Sequence, residues 1–461
     1  MTRLSAHMIG GAVLAALLAG PAFAERETVA PGESVQAALD RARAGDTVVL
    51  QPGVHRGPVE IHGEAILEGL PGAILEGSGR GSAVTVSAPR AVVRGLTVRG
   101  SGRDLEAMDA GIFVKQSATG ALVEKNRIEG NLYGIYLHGA EDAVARGNVI
   151  VGMTDGRINE AGNGVSVWSA PGVRVEDNDI RFGRDGIFVV ASKRNAFRNN
   201  RFRDVRFAVH YMYTNDSEIT GNVSTGNTVG FAIMYSHRLI VRDNVSDGDL
   251  NHGFLFNFAN SSKITGNTVR GRLLPASRWA SPGQRGAARE HGVPAEDAAP
   301  PLAGGLRNAP EKCVFIYNAN KNTFQGNWFE GCEIGVHFTA GSEGNAMSAN
   351  AFVRNRNQVK YVGTRYLDWS HEGRGNFWSD NPAFDLDGDG IGDTAYRPND
   401  IIDKVLWTAP SAKVLLNSPA VQIIRWAQAQ FPALLPGGVV DSRPLMTPAI
   451  TPRPVETGAA P

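Results

Sequence analysis

Between residues 80 and 360 the chain is written in short apolar runs, among them Gly134-Ile135-Tyr136-Leu137, Gly186-Ile187-Phe188-Val189, Ala208-Val209-His210-Tyr211, Gly230-Phe231-Ala232-Ile233 and Gly335-Val336-His337-Phe338, with Gly, Asn and Asp between them. Runs this short, rich in β-branched and aromatic residues and bounded by turn formers, predict strands. No part of that stretch sustains a 3.6-residue apolar period, which excludes helical solenoids. Leucine-rich repeats share the length of the unit, but their leucine scaffold is missing.

The runs are periodic. An asparagine-bearing turn recurs at Asn126, Asn148, Asn178, Asn200, Asn222, Asn244, Asn267, Asn327 and Asn350, at intervals of 22, 30, 22, 22, 22, 23, 60 and 23 residues. A rung of about 22 residues with an asparagine-bearing turn predicts an all-β fold, a right-handed parallel β-helix whose asparagines stack as a structural ladder and form no reactive site. The 30-residue interval implies a loop near Met153–Asn159. The 60-residue interval implies one rung plus an insertion of some 37 residues, about Arg272–Pro310, whose Ala, Gly, Pro and Arg content predicts a mobile loop. Ser34–Ala44, an amphipathic stretch ended by Gly45-Asp46, is expected to cap the first rung and shield its open sheet edge.

Strand alternation assigns faces. Counted from each asparagine, positions +9 and +11 are apolar and point inward, as in Ile187/Val189, Val209/Tyr211 and Phe231/Ile233. Positions +10 and +12, with the 30-residue rung shifted by eight, then face out: Tyr136/His138, Ser166/Trp168, Phe188/Val190, His210/Met212, Ala232/Met234, Phe254/Phe256 and His337/Thr339. An exposed strip of aromatic, methionine and histidine side chains marks an interaction surface. Within it Met212 and Met234 fall in one column a rung apart, with His210 two residues from Met212. Thioethers and an imidazole suit Cu(I), a soft cation, and suit Mg²⁺ or Ca²⁺ poorly. The competing reading is that the methionines only soften a protein-binding patch.

Composition narrows the remaining choices. The 461 residues carry 46 Lys+Arg and 46 Asp+Glu, a balance that argues against nucleic acid or anionic lipid as a partner. Residues 1–24, with Arg3, the apolar run Met8–Leu18 and Ala22-x-Ala24, read as a signal peptide. Export places Cys313 and Cys332 where they could pair, although their strand columns are offset and a turn would have to bring them together. A polysaccharide lyase, hydrolase or carbohydrate-binding protein is the alternative reading, but acid/base chemistry needs paired carboxylates that the outward positions lack. No Gly-x-x-x-x-Gly-Lys-Ser/Thr phosphate loop is present.

After Asn350 the rhythm changes. Asp385, Asp387, Asp389 and Asp393 stand at positions 1, 3, 5 and 9 of a loop with Gly390 at 6, as in a calcium loop, but Tyr396 replaces the usual bidentate Glu at position 12. Ser418-Pro419 starts a helix that runs to Phe431-Pro432, carrying Ile424 and Trp426, and either packs under the last rung or faces a membrane partner. The expected organisation is signal peptide 1–24, cap and first rungs 25–80, β-helix 81–360, and a C-terminal extension 361–461 that serves docking.

The strings His210-Tyr211-Met212-Tyr213-Thr214-Asn215-Asp216-Ser217, Gly335-Val336-His337-Phe338-Thr339-Ala340-Gly341-Ser342-Glu343, Gly375-Asn376-Phe377-Trp378-Ser379-Asp380 with the Asp385–Asp393 loop, and Trp426-Ala427-Gln428 through Pro444-Leu445 resemble the NosD family of β-helix proteins. The resemblance spans essentially the whole chain after residue 24. It implies a non-enzymatic periplasmic accessory of an ABC transporter, held at the inner membrane through its partners: a membrane subunit and an ATPase subunit. It further implies a lipoprotein copper chaperone and nitrous oxide reductase as partners, with a role in assembling that enzyme's copper-sulfide centre. On this reading Met212, Met234 and His210 receive Cu(I), while Tyr136, His138, Trp168, Phe188, Phe254, Phe256, His337, Ile424 and Trp426 form partner surface.

Overall fold

The fold is seen in a computed structural model that describes residues 24–155, 157–275, 306–363, 365–415, 418–431 and 437–454. The expected signal peptide and most of the 272–310 insertion lie outside the described residues. Three parallel sheets run the length of a β-solenoid. Sheet I has 13 strands, from Arg26–Val29 to Ala346–Ser348; sheet II has 12, from Val59–Ile61 to Asn357–Val362; sheet III has 13, from Gly53–Arg56 to Phe377–Trp378. The early rungs escaped the asparagine count because their turns carry no such marker. At the insertion, Arg272–Pro275 pairs antiparallel with Leu306–Ala309. The next rung resumes at once: Thr268–Arg270 pairs with Trp328–Glu330 as consecutive strands of sheet III.

Inside, each column stacks like on like. Ile187, Val209, Phe231 and Phe254 are register partners and fully buried, and the rings of Phe231 and Phe254 stack at 4.7 Å. The asparagines form the expected ladder, each backbone N–H donating to the Oδ1 of the next rung's asparagine at 2.9–3.1 Å from Asn126 to Asn376. Their Nδ2 groups donate as well, as from Asn148 to Val123 O at 3.0 Å, so the buried amide is paired at both its oxygen and its nitrogen. The preceding residue is left-handed in rung after rung, as at Asp177, Asn199, Gly221 and Asp243 with φ of 55–69°, which explains the Gly, Asp and Asn at that place.

Both ends are closed. Helix α1 (Val35–Arg41) starts at Ser34, whose Oγ accepts from Ala37 N at 3.2 Å, and buries Val35, Ala38 and Leu39 against the first rung. At the other end Cys332, in the turn before strand Ile334–Thr339, forms a disulfide with Cys313, their Cα atoms 5.6 Å apart. Two helices follow: α2 (Ile401–Thr408) and α3 (Pro419–Gln430), the latter beginning at Ser418 as expected. Among the described residues no helix is long and apolar enough to cross a membrane.

Candidate functional site

The three outer faces differ in chemistry. Sheet I is laced by ion pairs across rungs, Arg26–Glu68–Arg94, Arg146–Glu124 and Glu176–Arg198–Glu218. Sheet III carries Arg56–Glu76–Arg99, Arg203–Asp179 and Arg354–Glu330. These faces are saturated with solvated charge. Sheet II instead presents rings: Phe113 stacks on Tyr136 at 5.5 Å, His138 on Trp168 at 4.5 Å, and Phe315 lies 4.9 Å from His337.

Met212 and Met234 are register partners on this face, as expected, which sets their backbones roughly 4.8 Å apart. His210 shares their strand face but is engaged elsewhere: its Nδ1 lies 3.0 Å from Oδ2 of Asp185, and its ring is flanked by Phe188 at 5.0 Å and Phe207 at 4.8 Å. Asp185 is fully buried and also receives Arg206, Nε to Oδ1 at 2.8 Å and Nη2 to Oδ2 at 2.7 Å. Burial would raise its carboxyl pKa, but the hydrogen bonds from His210 and Arg206 and their charge outweigh it and hold the group below the usual carboxylate range. Asp185 reads in sequence as a turn residue. It stands at the head of a strand in register with Phe207, with Arg206 one rung on, and only that pairing brings the groups together.

The strip is less exposed than its periodicity suggests. Trp168 is 42% exposed, Tyr136, His138, Phe188, Met212, Met234 and His337 are half-buried, and His210 is buried. Burial, then Lys360 and Lys312, push the His337 imidazole down to about 4, so it is neutral at pH 7. Phe254 and Phe256, expected on the partner surface, belong to the core, 1% and 0% exposed. Their rung holds one extra residue between Asn244 and the strand, so Phe256 pairs with the inward Ile233, and Leu255 and Asn257 take the outward places.

Sequence reading also missed an aromatic stair beside the methionines. Tyr213, Tyr235 and Phe258 follow Met212, Met234 and Asn257 directly, adopt left-handed backbone with φ of 48–52°, and stack at 5.0 and 5.1 Å with their edges in solvent. The same place is left-handed at Ser169, Ala191 and Asn318 in neighbouring rungs, so the backbone belongs to the turn and what sets these three apart is the stacked rings they carry.

In the tail, Asp385, Asp387 and Asp389 each bring a carboxylate oxygen within 4.8 Å of the others. These groups also hold their own loop: Asp385 accepts the N–H groups of Gly388 and Gly390, and Asp393 that of Leu386. Tyr396, at loop position 12, donates its hydroxyl to Asp380 at 2.9 Å. Helix α3 packs through Val421 and Gln428, the latter accepting from Ile401 N at 3.2 Å, and leaves Ile423, Ile424 and Trp426 exposed. For the carbohydrate alternative, strands 133–138 through 252–257 of sheet II contain one acidic residue, Asp185, already committed to Arg206 and His210.

Residues 147–383 match the family model described as "Periplasmic copper-binding protein (NosD)". Two similar proteins are each described as a probable ABC transporter binding protein NosD. That of Stutzerimonas stutzeri is 39% identical over 397 residues, 86% of either chain. That of Pseudomonas aeruginosa is 37% identical over 451 residues, 96% of this chain and 97% of the other. Among solved structures, the A-module of the mannuronan C-5 epimerase AlgE6 from Azotobacter vinelandii aligns with a TM-score of 0.46 at 15% identity, covering 75% of this chain and 93% of that one. The Dettilon tailspike protein aligns with a TM-score of 0.48 at 14% identity, covering 73% and 69%.

Proposed function

The chain belongs to the NosD family, and from that premise we propose that it is a non-enzymatic periplasmic accessory of an ABC transporter that presents Cu(I) during assembly of the copper-sulfide centre of nitrous oxide reductase. The observation that carries the reading is the contrast between faces: two are sealed by ion-pair ladders, while sheet II sets Met212 against Met234 beside a buried His210. Thioether and imidazole donors bind Cu(I) and leave hard cations to water. In this role copper is cargo. A lipoprotein chaperone delivers it to the sheet II face, and the reductase receives it there.

Docking falls to the C-terminal helices, whose apolar side chains, Trp426 at 63% exposure among them, suit a membrane subunit that is driven by a separate ATPase subunit. The decisive experiment is reconstitution. With the transporter subunits, chaperone and apo-reductase present, adding this chain is expected to restore copper-centre absorbance. Restoration without it would end the proposal.

A further inference from the structure

Resting on the copper reading, we infer that Asp185 is the positioning residue of the copper site: its carboxylate fixes the tautomer and plane of His210 so that the Nε2 lone pair is the one offered to the cation. An ionised carboxylate can only accept. The 3.0 Å contact between Nδ1 of His210 and Oδ2 of Asp185 therefore places the ring proton on Nδ1, which leaves Nε2 as the basic nitrogen.

The carboxylate cannot turn away to serve the ring differently. Arg206 grips both its oxygens, Nε on Oδ1 and Nη2 on Oδ2, and the guanidinium is itself seated 4.4 Å over the ring of Phe207. Phe207 and Phe188 contact the imidazole from two sides, edge-on and tilted. Asp185, Arg206, Phe207 and His210 thus form one locked unit. Such an outer carboxylate orients a ligating histidine, and its loss typically weakens metal affinity about 10–100-fold. The same arrangement explains why a charged Asp stands fully buried on a face otherwise given to rings.

Two measurements on the full-length protein test the inference. First, ¹⁵N-imidazole NMR of the metal-free protein, with His210 assigned through His210→Gln, is expected to show the Nδ1–H tautomer. An Nε2–H tautomer overturns the proposal, and because this reading uses wild-type protein it stands even where a variant fails to fold. Second, Cu(I) is titrated against bicinchoninate. Asp185→Asn is expected to bind 10–100-fold more weakly, and Asp185→Glu to recover part of the loss. Wild-type affinity in Asp185→Asn overturns the positioning role while leaving the copper reading intact. Absence of Cu(I) binding in the wild type overturns the copper reading itself, and with it the inference.

Discussion

The backbone N–H of Asn376 donates to the buried carboxylate of Asp441 at 2.7 Å, across 65 residues of sequence. Asn376 is the last asparagine of the ladder, and Asp441 occupies the place the next asparagine would take. Nε1 of Trp378 donates to the same oxygen at 2.8 Å, so one side chain from the tail satisfies the open end of the solenoid. Removing it orphans both donors in the interior. Asp441→Ala is expected to cost about 2–4 kcal/mol, read as a lower urea midpoint with an unchanged slope.

Asp249 is a ladder residue of a different kind. It takes the place of an asparagine, accepting from Asn227 N at 2.8 Å and from the hydroxyls of Ser224 and Ser246, and among the described residues no ion pair forms on it. Burial pushes its carboxyl up to about 7 from 3.8. Below pH 4 folded and unfolded chains are both protonated there, and the group costs nothing. From pH 4 to 7 the unfolded chain releases its proton while the folded chain keeps it, so stability falls as pH rises and the loss is complete above 7. Asp249→Asn is expected to flatten that slope and to raise stability at pH 8 by a few kcal/mol, at about 1.4 kcal/mol per pKa unit. Thermal unfolding of both proteins at pH 5 and pH 8 checks it. A larger gain at pH 5 would contradict the assignment.

Much of the fold was legible because the 22-residue period, the asparagines and the helix start at Ser418 are all local signals. Register was legible only while rungs kept their length. The single extra residue after Asp249 inverts the faces of strand His252–Asn257 relative to a count from Asn244, and nothing local marks it. Phe254→Ala is therefore expected to cost about 3–5 kcal/mol, as a core truncation does, whereas Leu255→Ala on the half-buried outer face should cost less. Equal losses in the two variants would restore the original register. The Asp185–Arg206–His210 unit was illegible for a related reason: its members are brought together by pairing of neighbouring rungs, and Asp in a turn-rich sequence carries no signal of its own.

Copper chemistry predicts a separation of binding from folding. Met212 and Met234 are half-buried register partners whose replacement by leucine conserves volume, so Met212→Leu/Met234→Leu should cost less than about 1.5 kcal/mol per site. Its Cu(I) affinity against a competing chelator is expected to drop at least tenfold. Unchanged affinity removes the methionines from the site and leaves the face as a protein-binding patch.

The docking role of the tail needs point changes. Deleting residues 418–461 would remove Asp441 along with Val439 and Leu445, which pack on the last rungs, so lost association after truncation would report only a damaged solenoid end. Ile423 and Trp426 project from α3 away from its buried Val421 and Gln428, while Ile424 lies beside that pair and stays 42% exposed. Replacing exposed side chains usually shifts stability within about 0.5 kcal/mol. Ile424→Ser/Trp426→Ser is therefore expected to keep the wild-type melting temperature while abolishing co-purification with the transporter's membrane subunit. Retained co-purification would move the docking surface elsewhere, with the aromatic stair of Tyr213, Tyr235 and Phe258 the next to mutate.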